Sequence, residues 1–185
     1  MAEKRRPMIE RLGACSLRFG RSQSGVTAIE FGLLALPFFA LVGAILETSL
    51  IFISGQVLES ALHDSSRLVR TGQTQTGFNL DTFRADMCGR TYGLFGDCSG
   101  IFIEVGPVGN FAAAAVTPPV DVTCTANCTW TRAQQFDDGV QNSVMMAQAY
   151  FRWRTLVGLD LGFNTLADGR RLLGSVALFQ NEPFG

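Results

Sequence analysis

Gly25-Val-Thr-Ala-Ile-Glu-Phe-Gly-Leu-Leu-Ala-Leu-Pro-Phe38 is the stretch that decides the reading of this chain. Basic residues crowd the sequence before it, and an apolar run continues after it to Ile53. From Phe31 to Ile53 every residue is apolar or small except Glu47, Thr48 and Ser49. As a helix, residues 31–53 rise roughly 35 Å, enough to cross a hydrocarbon core of about 30 Å. A secretory signal has a shorter apolar region, about 7–15 residues, before a small-residue cleavage site. The run is too long for that reading. Pro37 removes one backbone hydrogen bond and predicts a kink near Leu33.

Charge fixes the expected topology. Lys4, Arg5, Arg6, Arg11, Arg18 and Arg21 stand against Glu3 and Glu10, so residues 1–25 carry a net charge of +4. By the positive-inside rule this end stays in the cytoplasm and the C-terminal portion is exported. The whole chain has a formal charge of −1, so the remainder, with nine basic and fourteen acidic residues, carries −5. A net-acidic exported part argues against a nucleic-acid partner. Cys15 falls in the basic leader, on the reducing side.

Two carboxylates in or beside the apolar run need a reason. A charge at the bilayer centre costs about 2.5–3.5 kcal/mol on insertion scales, so it is usually paired or functional. Glu30 stands at the mouth of the run and also reads as an ordinary charged helix flank. Glu47 lies about four turns further along.

Gly25-Val-Thr-Ala-Ile-Glu30-Phe31 behind a basic leader resembles the processing site of type IV prepilins. It is most similar to the TadE-like pseudopilins of tight-adherence (Flp-type) pilus systems. The resemblance is strong from Ser24 to about Leu50. It extends more weakly to Tyr150-Phe-Arg-Trp153 and Ala167-Asp-Gly-Arg-Arg-Leu172. It implies that a prepilin peptidase cuts between Gly25 and Val26 on the cytoplasmic face, which puts Glu30 at the fifth position of the mature chain. It also implies a role for that carboxylate. When subunits stack, Glu30 of one neutralises the new Val26 ammonium of its neighbour, a pairing worth far more in low dielectric than in water. Glu47 is expected to face other pilus subunits or to reach the outer interface.

Beyond the span, Val57, Leu58, Ala61, Leu62, Ser65, Leu68 and Val69 recur at three- and four-residue steps with charged residues between them. The spacing predicts one long helix from about Thr27 to Arg70, ended by Thr71-Gly72. The alternative is a break at Ser54-Gly55. Asn79 is a plausible N-cap for a short helix to about Arg90. Ile101–Val105, Val144–Arg154 and Arg171–Gln180 read as strands, and Gly106–Pro119 as a mobile loop. Asp121–Asp138 holds turn residues and a cysteine pair, and Leu156–Leu166 is ambiguous. The expected fold is α+β, a long transmembrane and stem helix with a small C-terminal head that holds a short antiparallel sheet. The expected divisions are 1–25 leader, removed; 26–53 transmembrane helix; 54–72 periplasmic extension; 73–185 periplasmic head. The roughly 130 residues after Ile53 suffice for one modest core.

The exported part holds Cys88, Cys98, Cys124 and Cys128. An even number favours disulfides, which the bacterial periplasm permits. Three pairings are open, with the local closures Cys88–Cys98 and Cys124–Cys128 preferred. The spacings fit zinc patterns poorly. Catalysis has thin support. His63 is the one histidine, on the polar side of the stem. Gly96-Asp-Cys-Ser-Gly100 superficially resembles a serine nucleophile loop, but Ser99 would need His63 as its base. Asp137-Asp138 with Glu104 or Asp121 lacks a calcium-loop pattern. No phosphate loop, HExxH or dinucleotide fingerprint is present.

The expectation is therefore a non-enzymatic pseudopilin without metal or cofactor. It is single-pass in the bacterial inner membrane and needed for pilus assembly. Its partners are prepilin peptidase, other pilins, the inner-membrane assembly platform and membrane lipid. The alternatives are an uncleaved anchor carrying a periplasmic binding module, and a secreted enzyme with an atypical signal peptide.

Overall fold

The computed structural model describes residues 23–75, 77–155 and 164–184. Most of the basic leader with Cys15, and the greater part of the ambiguous Leu156–Leu166, lie outside the described residues. The chain divides into two units, Met1–Ile45 and Leu46–Gly185.

Helix α1 runs Gln23–Arg70 and passes through both Pro37 and Ser54-Gly55 without interruption. In the first unit its apolar side chains are exposed, among them Val26, Phe31, Leu34, Phe38 and Leu41. From Gly25 to Leu46 no residue is buried. In the second unit Ile51, Leu58, Ala61, Leu62 and Val69 join a core that also holds Ala147, Ala149 and Ala177. Small side chains on the strands let a helix approach closely, which favours dispersion contacts. Ser54 is fully buried in this stripe, and so the Ser-Gly pair does not break the helix. Glu47 is also buried, at 3 % exposure. Its side chain is covered within the fold.

α1 stops at a Schellman turn. Gly72 N–H donates to Val69 O at 3.1 Å and Gln73 N–H to Leu68 O at 2.9 Å. Gly72 sits at φ +72°, and a Cβ there would come 2.5 Å from the Phe184 ring. Glycine is thus required both by conformation and by space.

Helix α2, Leu80–Gly89, begins with a capping box. Asn79 Oδ1 accepts the Asp81 and Thr82 N–H groups at 3.0 Å, and Thr82 Oγ1 accepts the Asn79 N–H at 2.7 Å. Phe83 and Met87, one turn apart, are fully buried. On the polar side Asp86 ties α2 to α1. It accepts Ser65 Oγ at 2.7 Å and Arg90 Nε and Nη2 at 3.0 and 3.1 Å. Burial by itself would raise the Asp86 pKa, but the hydrogen bonds from Arg90 and Ser65 outweigh it and hold the carboxyl below its ordinary value. A depressed folded-state pKa stabilises above the unfolded value, near 4, and that contribution fades as pH falls through the folded one. Asp86→Ala in the full chain is expected to cost about 1–2 kcal/mol near neutral pH and little well below pH 4. Urea midpoints of the detergent-solubilised protein at the two pH values measure this.

The strands are β1 (Phe102–Val108), β2 (Gln135–Phe136), β3 (Val144–Arg154) and β4 (Arg170–Gln180), in the order β2-β1-β3-β4. β1 with β3 and β3 with β4 are antiparallel, whereas β2 lies parallel to β1, so the sheet is mixed at that edge. Met145, Ala147 and Ala149 on β3 enter the core shared with α1 and α2. The other face of the sheet is covered as well. Phe102 and Tyr150 lie there with Trp130, and Tyr150 Oη donates to Gln148 Oε1 at 2.9 Å. Opposite Tyr150, a Cβ on Gly174 would come 2.7 Å from the tyrosine ring, so this position must stay bare.

Candidate functional site

The candidate site is the start of α1. Gly25 and Val26 lie in its first turns, and Glu30 follows one turn after Val26. Residues four apart on a helix share a face, with Cβ atoms about 5–6 Å apart. Glu30 is exposed, and around it Val26, Ile29, Phe31, Leu33 and Leu34 are exposed too, each by more than half. The result is a single carboxylate on an otherwise apolar helix surface. Such a surface is at ease in lipid or against other apolar helices, and there the carboxylate requires a counter-charge. A free amine at Val26 would lie on the same face.

Gly25 has no internal reason to be glycine. A Cβ there would meet nothing within 4 Å, and its φ is not positive. Glycine inside a helix costs roughly 1 kcal/mol relative to alanine. Among the described residues, packing does not account for it.

Cys88, Cys98, Cys124 and Cys128 form two bonds, Cys88–Cys98 and Cys124–Cys128. The first joins the end of α2 to the turn before β1, with Cys98 fully buried. The second closes a loop over the far face of the sheet. There the Cys128 carbonyl accepts the Arg152 guanidinium, whose Cζ lies 4.5 Å from the Trp130 ring centroid. Burial, and then the nearby Arg170, lower the Arg152 pKa from its ordinary value.

Several of the remaining sequence candidates are held in hydrogen bonds. Ser99 Oγ donates to Asp97 Oδ1 at 2.8 Å, and Ser99 N–H bonds the same oxygen at 3.1 Å. These bonds hold the Asp97 carboxyl below its ordinary pKa. The Gly96–Gly100 segment is thus an Asx turn locked by a disulfide. His63 is exposed on α1, in a groove beside Ala177 and Phe179. Asp137 Oδ1 accepts the Gly139 N–H, and Asp138 Oδ2 accepts Gln75 Nε2. Among the described residues no cluster of three metal-ligating side chains is found.

α1 is long and apolar enough to cross a membrane, which suggests an anchored protein with an α+β head. The family model described as TadE-like protein matches residues 25–67. The segment that carries Gly25, Val26 and Glu30 is therefore TadE-like, in agreement with the resemblance seen in the sequence. That description points to a protein associated with a Tad pilus. The match ends before α2 and leaves the head outside it. No curated protein and no solved structure matches the chain.

Proposed function

We propose that the chain is a membrane-anchored minor pseudopilin used to assemble a tight-adherence pilus. In this reading residues 1–25 are a cytoplasmic leader, prepilin peptidase cuts after Gly25, and Val26 becomes the new N-terminus. The span lies within residues 26–53 of the bacterial inner membrane, with the extension 54–72 and the head 73–185 on the periplasmic side. The helix is free of buried residues only as far as Leu46. Val26 to Ile45 would rise about 30 Å, one hydrocarbon thickness.

The observation that carries the reading is the exposed Glu30 one helical turn from Val26 on an apolar surface. Cleavage creates an ammonium on that face. Inside one chain the pair would sit at helix-turn spacing. Between stacked chains Glu30 of one subunit would neutralise Val26 of the next. Either arrangement removes the cost of an unpaired charge in lipid. Other pilins and the inner-membrane platform are the partners this surface serves.

The test is the N-terminus and intact mass of the membrane-extracted protein, made with and without prepilin peptidase. A chain that starts at Val26 only with the peptidase supports the reading. A full-length chain in both preparations reduces it to a plain anchor. A start beyond residue 40 means signal-peptide removal and sinks it.

A further inference from the structure

β4 is an edge strand, with β3 on one side of it. In an antiparallel pair the backbone groups of alternate residues point toward the neighbour and away from it. Leu172 N–H donates to Thr165 Oγ1 at 2.8 Å, and Arg170 O accepts the Thr165 and Leu166 N–H groups at 3.2 and 3.0 Å. The even-numbered residues of β4 are therefore those that point away from β3. Thr165 and Leu166 cover the start of this edge. Beyond them the outward N–H and C=O groups of Gly174, Val176 and Leu178 meet no partner among the described residues. Gly174 and Leu178 are exposed, and neither a charge nor a proline lies between Leu172 and Gln180. A long, apolar, uncharged edge of this kind is a template for another strand.

A groove of about 290 Å³ lies between Leu178 and Phe179 of β4 and His63, Ser66, Arg67 and Arg70 of α1. Its charges do not cancel. Arg70 pairs with Glu182 at 3.3 Å, and Asp64, also on the wall, with Arg90 at 4.0 Å. Arg67 is exposed, and its guanidinium has no partner among the described residues. Its neighbour in sequence, Ser66, is 3 % exposed, and the Ser66 Oγ has no hydrogen-bond partner. A buried hydroxyl left in that state costs free energy, which an acceptor placed in the groove would relieve. One wall thus offers backbone pairing, and the other offers a cation and a donor.

We propose that this groove takes an extended, acidic segment of a partner protein, which adds to β4 as a fifth strand and sets a carboxylate against Arg67 and Ser66. Side chains alternate along a strand, so its backbone can pair with Val176 and Leu178 while every second side chain turns toward α1. Arg67 sets the charge of the occupant, because a guanidinium binds a carboxylate through strong, paired hydrogen bonds. The β4 strand of a second copy does not meet that demand, since no carboxylate lies between Arg170 and Gln180. The inference uses the second unit alone and stands whether or not α1 spans a membrane.

The test uses the full chain in detergent and a displayed library of random peptides about as long as β4. The recovered peptides are expected to carry aspartate or glutamate at one recurring position, with apolar residues at alternate positions around it. A synthetic copy of the commonest should slow amide hydrogen exchange at Gly174, Val176 and Leu178. Its affinity should fall about tenfold with Arg67→Ala, the loss of one hydrogen-bonded charge pair. Replacing the peptide's acid by its amide should give a similar loss, and that arm needs no variant of the protein. If no peptide is enriched over beads without protein, or the enriched ones share no acidic position, the proposal is overturned. It also falls if a bound peptide leaves the β4 amides unprotected, or binds Arg67→Ala as tightly as the unsubstituted chain. Protection of the same amides in the protein alone, rising with its concentration, would assign the edge to a second copy and overturn the acidic strand.

Discussion

Gly25→Val is expected to leave the chain uncleaved in cells that contain prepilin peptidase, with its intact mass still counting from Met1. A Cβ at this position meets nothing within 4 Å, and its removal from a helix interior is if anything a disadvantage to stability. The substitution should therefore leave folding and membrane insertion untouched. An effect on cleavage then reports the approach of an enzyme and nothing else. Glu30→Ala separates the second step. It removes the carboxylate but keeps the apolar helix, so the protein should insert in the membrane and accumulate. Incorporation into fibres, or co-isolation with other pilins, should fall at least tenfold. Glu30→Gln should behave like alanine, because a neutral amide cannot offset an ammonium. Normal assembly with Glu30→Gln would sink the charge-pairing role, whatever the state of the N-terminus.

The largest stability effect is expected at Phe83. Its ring is fully buried, 5.4 Å from that of Phe136, and it stands beside Met87 under α2. Phe→Ala at such a site costs about 3–5 kcal/mol, the transfer term plus the cavity left behind. A domain of this size has about 5–15 kcal/mol in total. The Cys88–Cys98 bond, which closes a short loop, contributes about 2–3 kcal/mol in the chain-entropy model. Phe83→Ala should thus lower the urea midpoint of the head more than loss of that disulfide does. Phe38→Ala is the matched control. It removes the same ring from an exposed position in the first unit. In detergent it should leave the unfolding of the head unchanged. Equal effects of the two substitutions would mean that the two units do not unfold separately.

What the sequence reveals and what it hides follow from range. The span, the stem and α2 are written in local signals. These are an unbroken apolar run, three- and four-residue steps, and Asn79 with its Thr82 partner. β3 and β4 show plain alternation or β-branched composition. By contrast, Gly106-Pro107-Val108 reads as loop, yet it belongs to β1. β2 pairs only with Glu104 and Val105, so Pro107 lies where one side of β1 has no strand beside it. A missing N–H is tolerated at such a position. β2 itself is two residues long and is set by the sheet rather than by its own composition. Glu47 misleads for a similar reason. In sequence it is a charge inside an apolar run, and only the folded head shows that its side chain is covered. The segment from Gly25 to Phe31 is legible because its resemblance rests on local spacing alone, and the family match begins there.

The direction of β4 sets a limit on assembly. One groove places Arg171 and Gly174 against residues 48–59 of α1, and a second places Ala177 and Phe179 against residues 63–70. The strand therefore runs the same way as the stem, and it lies at one end of the four-strand order. Two-fold pairing of this edge with its own copy would make the strands antiparallel and point the two stems in opposite directions. If the chain is anchored as proposed, subunits rooted in one bilayer are barred from that contact. On that reading, any contact made through the β4 edge has to keep the stems pointing the same way.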